Sequence, residues 1–221
     1  MQGEFWNRRE NGDAYAEMLS VGAVFDEQGQ IRNYVVVFSD ITALKEQQRK
    51  LEHLALYDTV TGLPNRMLLV DSMRHAMADT LRRGHLMAVV YLDLDGFKRV
   101  NDAHGHETGD RLLRFTAGRM RQALRDVDTL ARLGGDEFIA LLVDLDNRPA
   151  CQLILERLLT AAAEPLLADH QQMRISVSMG VTFFPQAQDT ETDELLRQAD
   201  NAMYQAKQAG KNRYHFFDPK P

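Results

Sequence analysis

Six consecutive apolar residues, Met87 to Leu92, run without a break into Asp93-Leu94-Asp95-Gly96. A strand that is apolar at every position has no face to give to water, so it must lie inside a sheet covered on both sides. The neighbouring segments supply the cover. Pro64-Asn65-Arg66 opens a helix that runs to about Arg82 and closes at Arg83-Gly84-His85. Gly109 to Arg125 is amphipathic, with Leu112, Leu113, Thr116, Met120, Ala123 and Leu124 on one side. Thr129 to Leu133 and Phe138 to Val143, joined through Gly134-Gly135, form the two arms of a β-hairpin. Ala150 to Leu167 is expected to be helical and Met173 to Phe183 a strand. Asp193 to Ala209 follows as a final helix stopped by Gly210, and Tyr214 to Phe217 as a last short strand. From Pro64 onward the chain therefore predicts an α/β fold, a central and mostly antiparallel sheet flanked by helices.

The first forty residues have a different character. Tyr15 to Val24 and Ile31 to Phe38 read as strands around the turn Asp26-Glu27-Gln28-Gly29-Gln30. Two or three strands are marginal alone, so this segment either packs on something else or is a fragment of a larger domain. Ser39-Asp40-Ile41-Thr42 looks like a helix start, with Asp40 or Thr42 as cap. The helix runs to about Tyr57. Ile41, Leu44, Gln48, Leu51 and Ala55 have the alternating spacing of a coiled-coil seam, over barely two heptads, so a short coiled coil and an ordinary amphipathic linker both fit.

Bulk properties narrow the partners. A chain of 221 residues allows one good core and a smaller appended segment. Its net charge of −6 argues against a nucleic acid or an anionic membrane as main partner, while leaving room for a small phosphate ligand held by a few cations. Cys151 is the only cysteine, lies in an apolar helical stretch and reads as a packed core thiol; a reducing, cytoplasmic setting fits. No apolar run approaches the length of a membrane span, and the polar first residues carry no signal peptide.

Two short motifs carry chemistry. Asp93 and Asp95 end the buried strand two residues apart, so both carboxylates point to the same side, a good presentation of hard oxygen ligands to a divalent cation. Gly134-Gly135 permit positive φ and set Asp136 and Glu137 at a hairpin tip. Alone, the first reads better as a pair of capping aspartates and the second as a plain turn. Together, if the hairpin lies beside the first strand, Asp93 and Asp136 share one metal site. Paired carboxylates holding Mg²⁺ against a triphosphate are the recurring apparatus of nucleotidyl transfer, and Lys98 follows closely as a cation.

Gly134-Gly135-Asp136-Glu137-Phe138 also reproduces the signature of the GGDEF diguanylate cyclase family. The resemblance runs from Asp58 to Phe217. It includes Asp58-Thr59-Val60-Thr61-Gly62-Leu63-Pro64-Asn65-Arg66, then Asp93-Leu94-Asp95-Gly96-Phe97-Lys98 with Asn101-Asp102, Gly105-His106 and Gly109-Asp110. It closes with Ala199-Asp200-Asn201-Ala202-Met203-Tyr204-Gln205-Ala206-Lys207 and Gly210-Lys211-Asn212-Arg213. Gly96 departs from the histidine common there. The resemblance implies a sheet of the nucleotidyl cyclase and polymerase-palm type. It implies Mg²⁺ or Mn²⁺ held by Asp93, Asp136 and the Leu94 carbonyl, with Glu137 at the metal or as base, and Lys98 stabilising the transition state. Asn101 and Asp110, with His106 nearby, would read guanine, and Lys207 and Lys211 would hold phosphates. Two GTP would be condensed to cyclic di-GMP by a homodimer. Arg125 and Asp128 occupy the place of the family's Arg-x-x-Asp site for inhibition by the product, and that placement favours the inhibitory site over the alternative, a surface ion pair at a helix end.

Phe5 to Asp13 and Val35 to Thr42 resemble the C-terminal half of a PAS sensor domain, and Phe216-Phe217-Asp218-Pro219 resembles the junction into an EAL domain. The expected layout is a PAS fragment over 1–41, a linker helix over 42–57 and the cyclase over 58–218, with no nucleic-acid or membrane contact by this segment. Two rival roles remain: a catalytically silent module sensing GTP or cyclic di-GMP, and a scaffold acting only through its helix and N-terminal segment.

Overall fold

The computed structural model of the chain describes residues 1–168 and 171–218. It divides into two compact units, 1–55 and 56–221. In the first, β1 (Gln2–Arg8), β2 (Ala14–Phe25) and β3 (Ile31–Asp40) form an antiparallel sheet in that order. The strand β1 lies outside the sequence expectation because its alternation of Phe5, Asn7 and Trp6, Arg8 is too mixed to read. The helix α1 (Thr42–Leu56) begins where Asp40 Oδ1 accepts from the Thr42 amide at 2.9 Å, and the Thr42 hydroxyl accepts from Ala16 N at 3.0 Å. Both candidate caps thus take part, Asp40 on the helix and Thr42 on the sheet. Lys45 pairs with Glu4 at 2.7 Å and Arg49 stacks over Trp6, so the start of α1 lies along β1.

In the second unit α2 (Arg66–Arg83) is capped by the Asn65 carboxamide and ended by Gly84 at φ 72°. There follow β4 (Leu86–Asp95), α3 (Phe97–His104), α4 (His106–Ala123), β5 (Thr129–Gly134), β6 (Glu137–Leu145) and α5 (Arg148–Ala163). The chain continues through β7 (Leu166–Ala168), β8 (Gln171–Met173), β9 (Ser176–Phe184), α6 (Thr192–Gln208) and β10 (Arg213–Phe216). The main sheet has the order β10-β9-β4-β6-β5, antiparallel except for the parallel β10–β9 pair. This is the expected architecture, with β4 at its centre.

The all-apolar run resolves into two alternating sets. Ala88, Val90, Leu92 and Leu94 pack into one core with Leu112, Leu113 and Met120 of α4 and Leu155 and Leu158 of α5. Met87, Val89 and Tyr91 pack into the other with Leu69 and Met73 of α2 and Leu195, Ala199 and Met203 of α6. Asp93 continues this second set, so its carboxylate leaves the core on the α2–α6 side. Cys151 is fully buried in the first core; burial, then the charge of Asp128, pushes its thiol up to about 12.

Among the differences from expectation are two boundaries and one short helix. The helix α5 stops at Ala163 rather than Leu167, because Pro165 drives Glu164 out of helical geometry (ψ 126°) and the chain turns into the β7–β8 ribbon. For the same reason β9 starts at Ser176 rather than Met173. The short helix α3 lies outside the sequence expectation; it is only eight residues long and buries only Phe97.

Helix α6 lies on β9 at backbone contact. A Cβ on Gly180 would sit 2.0 Å from both Ala199 O and Met203 N, and backbone atoms cannot swing aside. Gly180→Ala is therefore expected to cost about 3 kcal/mol, the upper end of ordinary overpacking, read as a lowered Tm or denaturant midpoint. An unchanged midpoint would contradict this packing.

Candidate active site

Strands β4 and β6 run antiparallel with Asp93 directly opposite Glu137, and Leu94 N donates to Asp136 O at 3.1 Å. The turn that makes this possible has Gly134 at φ 152° and Gly135 at φ 51°, a backbone region that side chains disfavour. Asp136 and Glu137 thus enter the sheet beside Asp93. Burial, and then the charges of Asp136 and Asp95, hold the Asp93 carboxyl above the ordinary range, although Lys207 Nζ stands 2.6 Å from Asp93 Oδ2 and opposes the shift. Such a carboxylate gains from more positive charge. Burial, and then the charges of Glu137 and Asp200, raise the Tyr91 phenol.

Asp95 shares the side but not the situation. Ser176 Oγ and Ser178 Oγ donate to it at 2.8 and 2.9 Å, and Asn212 N at 3.3 Å. It is a structural acceptor that ties β4 to β9 and to the loop before β10. Of the strand-end pair, only Asp93 is turned to the hairpin acids.

Among the described residues no cluster of three His, Cys, Asp or Glu side chains could hold a metal. Magnesium is usually held by one or two carboxylates, with substrate phosphates and water completing its shell. Two carboxylates and a strand-end carbonyl, with one carboxyl raised by its neighbours, fit that ion.

Gly96 at φ 89° starts α3, which carries Lys98, exposed, and Asn101, half-buried. Gly105 joins α3 to α4, whose first turns carry exposed His106 and half-buried Asp110. Asn101 Oδ1 is buried without a hydrogen-bond partner among the described residues, against Gly109. The structure thus brings Asn101 and Asp110 to one corner. Lys207 sits in the last turn of α6, which ends at Gln208, so Lys207 and Lys211 do not share a helix face. Lys211 (φ 62°) instead donates its amide back to Ala206 O at 3.1 Å.

Arg125 and Asp128 form a tight local pair. The Asp128 carboxylate is fully buried and accepts from Arg125 N, Nε and Nη2 at 2.9–3.0 Å and from Val143 N at 3.3 Å. Asp128 therefore fixes the guanidinium rather than facing outward, while Arg125 stays 40% exposed. A recess of about 890 Å³ opens beside it, lined by Ala123, Leu153, Ile154 and Arg157 among others, away from the acids at the end of β4.

Arg132 was missed from the sequence. Its Nη1 meets Asp58 Oδ1 at 2.8 Å while Nε and Nη2 donate to Gly135 O at 3.0 and 2.8 Å. Asp58 in turn accepts from the Thr61 amide and hydroxyl at 2.8 and 2.6 Å. The segment entering the domain and the glycine turn are joined through one buried guanidinium. An arginine inside the otherwise apolar arm Leu130-Ala131-Arg132-Leu133 was the available signal, since buried arginines are paired.

Residues 55–213 match the model of the family described as Diguanylate cyclase, GGDEF domain. The chain belongs to that family. Among curated relatives of this GGDEF protein, the bifunctional diguanylate cyclase/cyclic di-GMP phosphodiesterase MucR of Pseudomonas aeruginosa is 41% identical over 89% of the chain and 28% of MucR. The cyclic di-GMP phosphodiesterase NbdA of the same organism is 36% identical over 80% of the chain and 22% of NbdA. The diguanylate cyclase DgcP, also of P. aeruginosa, is 40% identical over 77% of the chain and 24% of DgcP. The chain thus spans about a quarter of the length of these relatives. Among solved structures, the GGDEF domain of TpbB from P. aeruginosa has a TM-score of 0.70 at 33% identity, covering 73% of this chain and 94% of that one. The coiled coil and GGDEF domain of DgcB from Caulobacter crescentus, solved in complex with c-di-GMP, has a TM-score of 0.71 at 26% identity, covering 80% and 93%. No helix among the described residues is long and apolar enough to cross a membrane.

Proposed function

We propose that this GGDEF domain is an active diguanylate cyclase that condenses two GTP into cyclic di-GMP with release of two pyrophosphates. The observation that carries the reading is Asp93 on β4 set opposite the Asp136-Glu137 pair on β6, with Lys207 on Asp93. Asp93, Asp136 and the Leu94 carbonyl hold the divalent cation, Mg²⁺ or Mn²⁺. When bound, that ion supplies Lewis acidity at the triphosphate and offsets charge on the pyrophosphate. Glu137 accepts the proton of the attacking 3′-hydroxyl. Lys207 exchanges Asp93 for a phosphate oxygen, and Lys211 joins it there. Lys98 faces the charge that builds during transfer. Asn101 and Asp110, with His106 nearby, complement guanine through an amide and an acceptor carboxylate.

The product has two-fold symmetry, so each of two chains presents one GTP and the working form is a homodimer. Residues 58–218 form the cyclase, 42–57 the linker helix and 1–41 the C-terminal part of a PAS sensor. The three-stranded sheet of β1 to β3 supports that last assignment. Arg125, fixed by Asp128, offers an exposed guanidinium to the guanine or phosphate of the product, which makes cyclic di-GMP an inhibitor as well. The segment works in the cytoplasm, without membrane or nucleic-acid contact.

Incubation with GTP and Mg²⁺ is expected to give cyclic di-GMP and pyrophosphate in a ratio of one to two, with specific activity rising with protein concentration. The similarity to NbdA, whose name is that of a phosphodiesterase, favours a second reading: a silent module that senses GTP or cyclic di-GMP. GTP binding without turnover in a verified dimer would select it and overturn the first.

A further inference from the structure

We infer that Gly109 is a positioning residue for base recognition: the missing side chain at 109 is what lets the Asn101 carboxamide occupy its place. The inference rests on the assignment of Asn101 to the guanine edge. Gly109 lies in the first turns of α4, is buried and has ordinary helical backbone, so no positive φ calls for glycine there. Glycine is the poorest helix former after proline, which makes a steric reason necessary. The structure supplies one. A Cβ at 109 would stand 1.8 Å from Asn101 Oδ1 and 2.9 Å from Asn101 Cγ, against 3.3 Å from Phe97 Cζ.

The atoms in the way belong to the end of one flexible side chain. This differs from Gly180, where the obstacles are backbone. Alanine at 109 is therefore accommodated by rotating Asn101 out of its seat while α3 and α4 keep theirs. Asn101 Oδ1 is also buried with no hydrogen-bond partner among the described residues, so no hydrogen bond to them holds that oxygen in its present place. Packing against the bare Gly109 Cα does. The neighbouring Asp110 remains where it was. The defect expected of Gly109→Ala is thus one of base reading, with the fold retained.

The test is a double-mutant cycle on the full chain, read by calorimetry with 3′-deoxy-GTP, which lacks the attacking hydroxyl, and with 3′-deoxy-ATP, both with Mg²⁺. Gly109→Ala is expected to weaken 3′-deoxy-GTP at least tenfold, to match Asn101→Ala, and to leave the weak 3′-deoxy-ATP binding unchanged. In the Asn101→Ala background the cavity is vacant, so adding Gly109→Ala should change nothing further. Should Gly109→Ala alone fail to fold, the double variant must fold as well as Asn101→Ala. Wild-type affinity in Gly109→Ala, equal loss of both nucleotides, or additive losses in the double variant would overturn the inference while leaving the cyclase reading intact. If Asn101→Ala itself binds 3′-deoxy-GTP normally, the guanine assignment of Asn101 fails, and this inference with it.

Discussion

Asp136→Ala is expected to abolish cyclic di-GMP synthesis, lowering turnover at least about a thousand-fold, while the domain stays folded. The loss is large because the side chain is one of two carboxylates that the proposed cation site has. The fold is spared because the ladder bond at this point uses the Asp136 carbonyl, which alanine retains. The sign of the stability effect can be worked out. Asp93 is raised by burial and then by the Asp136 charge, so at neutral pH the folded state bears the cost of keeping Asp93 ionised. Removing Asp136 relieves part of that cost. The variant should therefore melt at or slightly above the wild-type temperature, an instance of stability given up for function. A variant that is inactive because it is unfolded would not meet this expectation; circular dichroism and thermal melting beside the GTP assay separate the cases.

Arg132→Ala should be strongly destabilising although it lies outside the two cores. It strips the glycine turn of two donors and leaves the Asp58 carboxylate, 18% exposed, without its cation. Removing one partner of a buried pair typically costs about 3–5 kcal/mol, and the partial exposure of Asp58 places this one near the lower figure. Activity should fall with stability, since Gly135 O is held by this side chain and Asp136 follows it. Burial alone would raise the Asp58 carboxyl, but the Thr61 and Arg132 hydrogen bonds outweigh it and hold the group below its ordinary value. A depressed carboxylate contributes stability above the unfolded pKa, about 3.9, and loses it as pH falls through the folded value. The gap in stability between wild type and Asp58→Asn is therefore expected to be full at neutral pH and to close below about pH 4. A gap that persists in acid would mean that Asp58 acts by shape rather than by charge.

The parts of this protein that could be read in its sequence were those with a period or a signature. The unbroken run Met87 to Leu92 predicted a strand covered on both faces, and β4 is the central strand with a core on each side. The glycine pair predicted a turn, and both glycines have positive φ. Where one residue overrides a pattern, periodicity misled: Pro165 ended α5 early although the apolar spacing ran on to Leu167. The helix α3 was hidden because its eight residues give barely two turns over which to read a period. At the site, the family resemblance singled out Asp93 with Asp136, whereas the spacing of the strand-end carboxylates alone could not tell Asp93 from Asp95. Their difference lies in Ser176 and Ser178, more than eighty residues away. The partners of Arg132 and Gly109 were likewise out of reach, since they are set by what these residues touch across the fold.

The central claim is that Asp93 and Asp136 act together on one divalent cation beneath a guanine nucleotide. Manganese binding followed by electron paramagnetic resonance, with 3′-deoxy-GTP present, addresses it directly. One tightly held ion per chain is expected in the wild type, with its affinity lost in both Asp93→Asn and Asp136→Asn. Retention of that ion by either variant at wild-type affinity would contradict the account.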